Sequence, residues 1–349
     1  MLRRDTLDIA VIGYIGPDTW GSIRREHVAG LEFRPAATAL RDVLDEVARQ
    51  SPDVTILLAH EGGECSGDAC RGEVLDLART LSRAGIDLIV GGHRHERVVT
   101  TVADVPIVIA RSSGTAIGVA DLRRTRGRPA FRTEVLTVWA DDVRPDTAVA
   151  GFVSREERRV NAIANRVVTR VKYPLPRDGS EYPLGNLIAD ARRNVLRADF
   201  GLVNNGGIRT TLPAGEVTYG QLFALQPFQN ELVTVTLTGR QVREMLEHVV
   251  ADGRPDAHVA GLTVRYDPSG RRGRRVREVR LVNGRGLENG RSYTLATDDY
   301  TAGGGSGFEI LVGKPTRGSG IYDVDGLATY LKRLPSPVEA PRADRFRSR

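Results

Sequence analysis

The chain has 349 residues, 40% hydrophobic and 27% charged. That length exceeds the size at which one core keeps growing, so two domains are expected, and collagen, disorder and coiled coil are excluded. The absence of any run of about 18 apolar residues excludes a membrane-spanning helix.

The formal charge of +6 is the excess of 50 basic over 44 acidic residues, and of the basic ones only Lys172, Lys314 and Lys332 are lysines. Such an arginine bias reflects codon composition. The group Arg271, Arg272, Arg274 and Arg275 lies between two strand-like runs and reads as a solvated turn, so no nucleic-acid partner is expected.

In chain order, the opening residues Met1-Leu-Arg-Arg-Asp-Thr carry no apolar export segment and run directly into a strand over 8–13. A helix is expected over 36–50, a strand over 54–59, a helix over 72–84 and a strand over 87–90. Strands alternating with helices predict an α/β layered domain. Strand-like runs follow at 97–102, 105–109, 116–122 and 131–139, and this first domain is expected to cover 1–141. The two cysteines, Cys65 and Cys70, are too few for a disulfide framework or a structural zinc site. They leave open a single local disulfide, which would suit an oxidising compartment.

A turn at 141–146 and a charged helix opened by Ser154, with Glu157 at capping-box spacing, predict a connecting segment over 142–172. A second α+β domain is expected over 173–335. Its helices fall from 184, over 219–224 and over 240–250, and its strands over 200–203, 232–237, 262–266, 276–281 and 293–296. Residues 336–349, rich in Pro, Ser and Arg, are expected to form a frayed tail.

Three of the six histidines fall just past strand ends: His60 after 54–59, and His93 and His95 after 87–90. Ligand sites in open α/β sheets lie outside the carboxyl ends of strands. Gly62, Gly63, Gly91 and Gly92 flank these histidines and let the backbone turn tightly. Neutral imidazoles at that place suit Zn, Mn, Fe or Ni. His27, His248 and His258 read as ordinary surface or core histidines.

The stretches Leu57-Leu-Ala-His-Glu-Gly-Gly63 and Gly91-Gly-His-Arg-His95 resemble the last two metal-binding motifs of calcineurin-like metallophosphoesterases. Four further stretches resemble the C-terminal domain of 5'-nucleotidases: Leu184 to Asp190, Asn204-Asn-Gly-Gly-Ile-Arg209, Thr218 to Asn230 and Tyr300 to Phe308. Together they span roughly residues 8–335 in that family's order. The resemblance implies a partial metallophosphoesterase α/β sandwich followed by a 5'-nucleotidase C-terminal α+β domain. It also implies a hydrolase of nucleotide phosphate monoesters that binds the nucleotide in the second domain and presents its phosphate to divalent metals, Zn or Mn, in the first.

Carried over by position, His60, His93 and His95 would be metal ligands. Asn205 and Arg209 would meet the phosphate, with Asn205 alternatively on the ribose, and Arg177 is a further candidate phosphate arginine. Phe228 and Tyr300 would sandwich the base, and Asn230 would bind its edge.

The sequence departs from the family's pattern at two places. The family's opening Asp-x-His, Gly-Asp and Gly-Asn-His motifs have no counterpart, so the catalytic histidine cannot be assigned and a bridged two-metal site lacks its bridge. The expectation is a chain missing the first half of that domain and its export signal. A partner chain or a preceding segment would then cover exposed sheet edges, and the full-length parent would be extracytoplasmic. The alternative reading is a non-catalytic nucleotide-binding module. The second departure is Ser306, where the family places an aspartate for the ribose hydroxyls; this points toward a modified, cyclic or non-nucleoside phosphate.

Overall fold

The computed structural model describes residues 1–23, 25–123 and 129–348. They form two compact units, one of residues 1–20 and 28–147, the other of residues 21–27 and 148–349. None of the described helices is long and apolar enough to cross a membrane.

The first unit contains β1 (Leu2–Arg4), β2 (Leu7–Ile15), α1 (Ala36–Ala39), α2 (Arg41–Gln50), β3 (Val54–His60), β4 (Glu64–Ser66), β5 (Ala69–Arg71) and α3 (Glu73–Thr80). β6 (Leu88–Val90), β7 (Arg97–Val102), β8 (Val105–Ala110), β9 (Ala116–Arg123) and β10 (Ala130–Thr137) complete it. The single helix expected over 36–50 is two, broken at Leu40.

Six strands form one sheet in the order β1-β2-β3-β6-β8-β7, whose central four are parallel. Ile12, Leu57, Ile89 and Ile107 on one face pack with Val74, Leu75, Leu77 and Ala78 of α3. β2 and β3 alternate buried and exposed positions, as one-faced strands do, and leave Val11, Ile15 and Leu58 exposed. Cys65 and Cys70 face each other across the β4–β5 hairpin and are disulfide-bonded.

The second unit contains α4 (Thr147–Ala164, its first residue grouped with the first unit), β11 (Val167–Val171), α5 (Pro183–Val195), β12 (Phe200–Asn204), β13 (Gly215–Thr218), α6 (Tyr219–Leu225) and β14 (Glu231–Thr238). α7 (Gly239–Val249), β15 (Ala257–Ala260), β16 (Leu262–Tyr266), β17 (Val276–Leu281), β18 (Ser292–Asp298), α8 (Asp299–Ala302), β19 (Thr316–Tyr322), α9 (Asp323–Leu331) and β20 (Phe346–Ser348) follow.

Its frame is a five-stranded sheet ordered β15-β12-β18-β14-β19. One face carries Leu202, Val233 and Val235 into a core shared with α7 and the three-stranded sheet β17-β16-β20. The other face, with Val203, packs under α5, α6 and α9. Each face thus buries an apolar layer, the arrangement that makes a sheet self-sufficient within one domain. α6 and α7 both begin with capping boxes, Thr218 with Gln221 and Thr238 with Gln241, which satisfy amides that the first helical turn leaves unpaired.

Two expectations are corrected. The helix expected to open at Ser154 begins at Thr147, so Ser154 lies in its interior; the alanines upstream continue the helix, and the Ser154–Glu157 spacing is not a cap. The described residues of the segment 336–349, namely 336–348, are not a frayed tail: Val338 is buried and bridges Val171, and β20 pairs in parallel with β16. Arg345 anchors the segment, donating to Asp190 Oδ2 at 2.6 Å, to the Asn186 carbonyl at 3.2 Å and to the Val259 carbonyl. Specific partners override a polar composition here.

Candidate functional site

In the first unit, His60 ends β3, and β3 and β6 run parallel, so their carboxyl ends share one edge of the sheet. His93 Nδ1 lies 3.1 Å from His60 Nε2, with the two rings edge to face at 4.8 Å. The turn that achieves this falls on the histidines rather than on the flanking glycines: His93 and His95 have φ of 64° and 60°, whereas none of Gly62, Gly63, Gly91 and Gly92 has positive φ. Left-handed backbone is uncommon for non-glycine residues and tends to mark functional positions.

Gly62 instead leaves room for Arg94, whose guanidinium pairs with Glu73 at the start of α3. The side chains therefore diverge along the loop, His93 toward His60 and Arg94 toward Glu73. Burial, followed by repulsion from His60, Arg94 and His95, holds the His93 imidazole below its ordinary range against the opposing attraction of Glu73. The neutral ring is the form that ligates metals.

The fit to a metal is partial. Two ligand nitrogens about 2.0–2.1 Å from one tetrahedral zinc stand roughly 3.3 Å apart, close to the 3.1 Å observed between His60 and His93. Among the described residues, however, no three His, Cys, Asp or Glu side chains are grouped to hold a metal ion. His95 is not drawn into the pair.

In the second unit, β12 and β18 run parallel and β14 runs antiparallel to β18, with Leu232 opposite Asp298. The residues after β12, those before β14 and those after β18 therefore emerge at one end of the sheet. This topology gathers Asn205, Arg209, Phe228, Asn230, Tyr300 and Ser306 at that end, although they are up to a hundred residues apart in sequence.

The turn 205–207 is a single 3-10 turn. Exposed Arg209 donates through Nη1 to the Gly206 carbonyl at 3.2 Å, and exposed Arg177 donates through Nη2 to the Asn205 carbonyl at 3.4 Å. The Arg209 guanidinium stands 5.7 Å over the Phe228 ring, which is 51% exposed. Asn230 is buried, and its carbonyl accepts from the Asp323 amide at 2.9 Å, which ties the segment before β14 to α9.

The Tyr300 ring lies on Gly305, where a Cβ would come within 2.4 Å of it, and its hydroxyl accepts from the Ser306 amide at 3.1 Å. Ser306 itself is left-handed, with φ 55°. Its Oγ accepts from Asn204 Nδ2 at 2.8 Å.

The structure thus joins Arg209 to Phe228, and Tyr300 to Ser306, by direct contact. Asn204, which sequence reasoning passed over in favour of its neighbour, is the residue that touches Ser306. The doubled Asn-Asn was the available signal, since alternate residues at a strand end point to opposite faces. His258 and Tyr182, which hold Asn205, carried no motif at all.

Residues 165–313 match the family described as 5'-nucleotidase, C-terminal domain. Over 99% of its length the chain is 29% identical to Endonuclease YhcR of Bacillus subtilis (strain 168), of which it spans 29%. Over 97% of its length it is 26% identical to the 5'-nucleotidase of Vibrio vulnificus (strain CMCP6), of which it spans 69%. The solved 5'-nucleotidase precursor from Thermus thermophilus superposes with a TM-score of 0.81 at 23% identity, over 97% of this chain and 72% of that one, which establishes a shared fold.

Proposed function

Proceeding from a chain whose residues 165–313 match the 5'-nucleotidase C-terminal domain family, we propose that it binds a nucleotide or related phosphate ester and serves hydrolysis of the 5'-nucleotidase type, releasing nucleoside and phosphate. The observation that carries this reading is the pair of exposed arginines on adjacent carbonyls of the 205–207 turn. Each guanidinium has five N–H donors and spends one on a carbonyl of the turn, so a planar fork remains for a phosphate.

The exposed Phe228 ring beside Arg209 offers a face for a base, an arrangement that serves a ligand anionic at one end and aromatic at the other. Tyr300 is assigned the opposing face, Asn230 the base edge and Ser306 the ribose hydroxyls. A serine binds such hydroxyls less strongly than a carboxylate, which leaves room for modified or non-nucleoside esters.

His60 and His93, with His95 as third nitrogen, are the proposed holders of a divalent ion, zinc or manganese, which when bound would activate water for attack on phosphorus. The Cys65–Cys70 bridge supports an oxidising, extracytoplasmic setting.

A second reading, a nucleotide-binding module without turnover, is favoured by the lack of a three-ligand group among the described residues. Phosphate release from AMP with added manganese or zinc, run beside calorimetric titration with AMP, separates the two. Turnover supports the hydrolase, binding without turnover supports the module, and neither binding nor turnover removes both.

A further inference from the structure

His258 is fully buried on β15, its ring edge-on to Tyr182 at 4.2 Å. It occupies the space that a side chain at Gly185 would need, since a Cβ there would come within 2.2 Å of the ring. Burying the polar atoms of so enclosed an imidazole is costly where they find no partner.

One of them is used on Asn205. The Asn205 Nδ2 group donates to Asp256 Oδ1 at 3.2 Å, and a carboxylate can only accept, so the amide orientation is fixed and Oδ1 faces inward. There it meets the Tyr182 hydroxyl at 3.1 Å and His258 Nε2 at 2.8 Å. Because a carbonyl oxygen only accepts, both neighbours must donate, and His258 is the neutral tautomer protonated on Nε2. Its Nδ1, the bare nitrogen in that tautomer, is buried and has no partner. The Asn205 amide donates to the Asp256 carbonyl at 3.3 Å, and its carbonyl accepts from Arg177 and from the Ile208 amide at 3.2 Å.

We propose that His258 and Tyr182 are positioning residues for the proposed phosphate site: donating together to Asn205 Oδ1, they lock Asn205 as a strut inside the 205–207 turn and so fix where Arg177 and Arg209 aim. The inference rests on the phosphate-site reading above. It gives Asn205 an inward, supporting role in place of direct contact with the ligand. The Asn205 side chain has its oxygen filled by two donors and one amide hydrogen taken by Asp256, whereas Arg177, which also meets the Tyr182 hydroxyl, and Arg209, which also stands over the Phe228 ring, each spend one donor on a backbone carbonyl of the turn and keep others for a ligand.

The test uses the full chain, with Tyr182→Phe, which removes one hydroxyl and keeps the ring, and His258→Gln and His258→Leu, which keep and remove a donor near the Nε2 position. AMP and adenosine are titrated calorimetrically, and amide exchange is followed at Ile208 and Arg209, with β14 as internal control. The expected result is that Tyr182→Phe and His258→Leu weaken AMP binding about fivefold, the effect of one lost hydrogen bond. Adenosine affinity stays unchanged, the two amides exchange faster, and His258→Gln retains wild-type AMP affinity.

Unchanged exchange at Ile208 and Arg209 in Tyr182→Phe overturns the strut. Faster exchange with AMP affinity unaltered overturns the positioning role, as does equal loss of AMP and adenosine affinity. If the wild-type chain binds neither AMP nor adenosine, the phosphate-site reading itself has failed and the inference falls with it, an outcome visible before any variant is made. Because Tyr182→Phe alters a single atom, the result does not depend on the His258 variants folding.

Discussion

Arg192 on α5 donates through Nη1 to Asp298 Oδ2 at 2.6 Å and to the Leu202 carbonyl at 2.8 Å, an ion pair whose side chains are 3% and 1% exposed. The other oxygen of Asp298 accepts from the Thr301 amide at 2.7 Å and caps the short helix that carries Tyr300. One carboxylate therefore ties a core helix to the loop bearing a proposed base-stacking ring. Removing one partner of a buried pair strands the other charge, and Asp298→Ala is expected to lower stability by about 3–5 kcal/mol. Urea unfolding measures it, and a loss below about 1 kcal/mol would mean that the pair is solvated.

Ser306 holds left-handed backbone between Gly305 and Gly307, a conformation that aspartate adopts more readily than most residues. Ser306→Asp is therefore expected to fold and, with Asn204 Nδ2 available as a donor, to place a carboxylate where a ribose diol would lie. Adenosine should bind about tenfold more tightly, by the greater strength of charge-assisted hydrogen bonds. An affinity equal to wild type would count against the assignment of this loop to the ribose.

Phe228 contributes little to the core, being 51% exposed, so Phe228→Ala is expected to change stability by less than about 0.5 kcal/mol. Stacking on one aromatic face is worth about 1–3 kcal/mol, so adenosine affinity should fall between fivefold and about 150-fold. Arg209→Ala should instead weaken AMP far more than adenosine. If both variants weaken the two ligands alike, the division into a base face and a phosphate fork is wrong.

Strands β2, β3 and β6 to β10 of the first unit and the gathering of Arg209, Phe228, Tyr300 and Ser306 were legible because short-range signals mark them: alternation of apolar residues, glycine turns and motif order; the short strands β1, β4 and β5 were not. What escaped was held by partners distant in sequence. β15 is only Ala257-His-Val-Ala260 and gains its identity by pairing with β12; β19 is glycine-rich and is held by β14. The tail looked unstructured because Arg345 finds Asp190, Asn186 and Val259 only after folding. His258 read as an ordinary surface or core histidine. Its burial fits that reading, but its bond to Asn205 bridges 53 residues that no local pattern spans.

The His60–His93 pair predicts the metal stoichiometry. With two imidazole nitrogens at ligand spacing and no third group drawn in among the described residues, protein purified without chelator should carry no more than one zinc or manganese per chain by elemental analysis. His93→Ala should abolish that binding, and His95→Ala should weaken it. About two metals per chain with phosphate release from AMP would mean that carboxylates now apart move in to complete the site.

Two buried groups pull the pH dependence of stability in opposite directions. Burial pushes the Asp323 carboxyl up from 3.8 to about 6, against the attraction of Arg192 and the Val324 amide and with repulsion from Asp298 and Asp299. Its folded value exceeds the unfolded one, so its contribution is complete below about pH 4 and is lost as pH rises toward 6. Burial, with repulsion from Arg345 and Arg177, lowers His258 from 6.5 to about 3. That contribution is complete above about pH 6.5 and is lost as pH falls toward 3.

Between about pH 4 and 6 the two slopes, each at most about 1.4 kcal/mol per pH unit, oppose one another. Relative to wild type, Asp323→Asn should therefore gain stability as pH is raised from 4.5 to 6, and His258→Gln should lose it over the same interval. Urea unfolding of the three proteins at both pH values reads the sign directly, and a variant whose difference from wild type is the same at pH 4.5 and 6 shows that its residue does not titrate in the folded protein as argued.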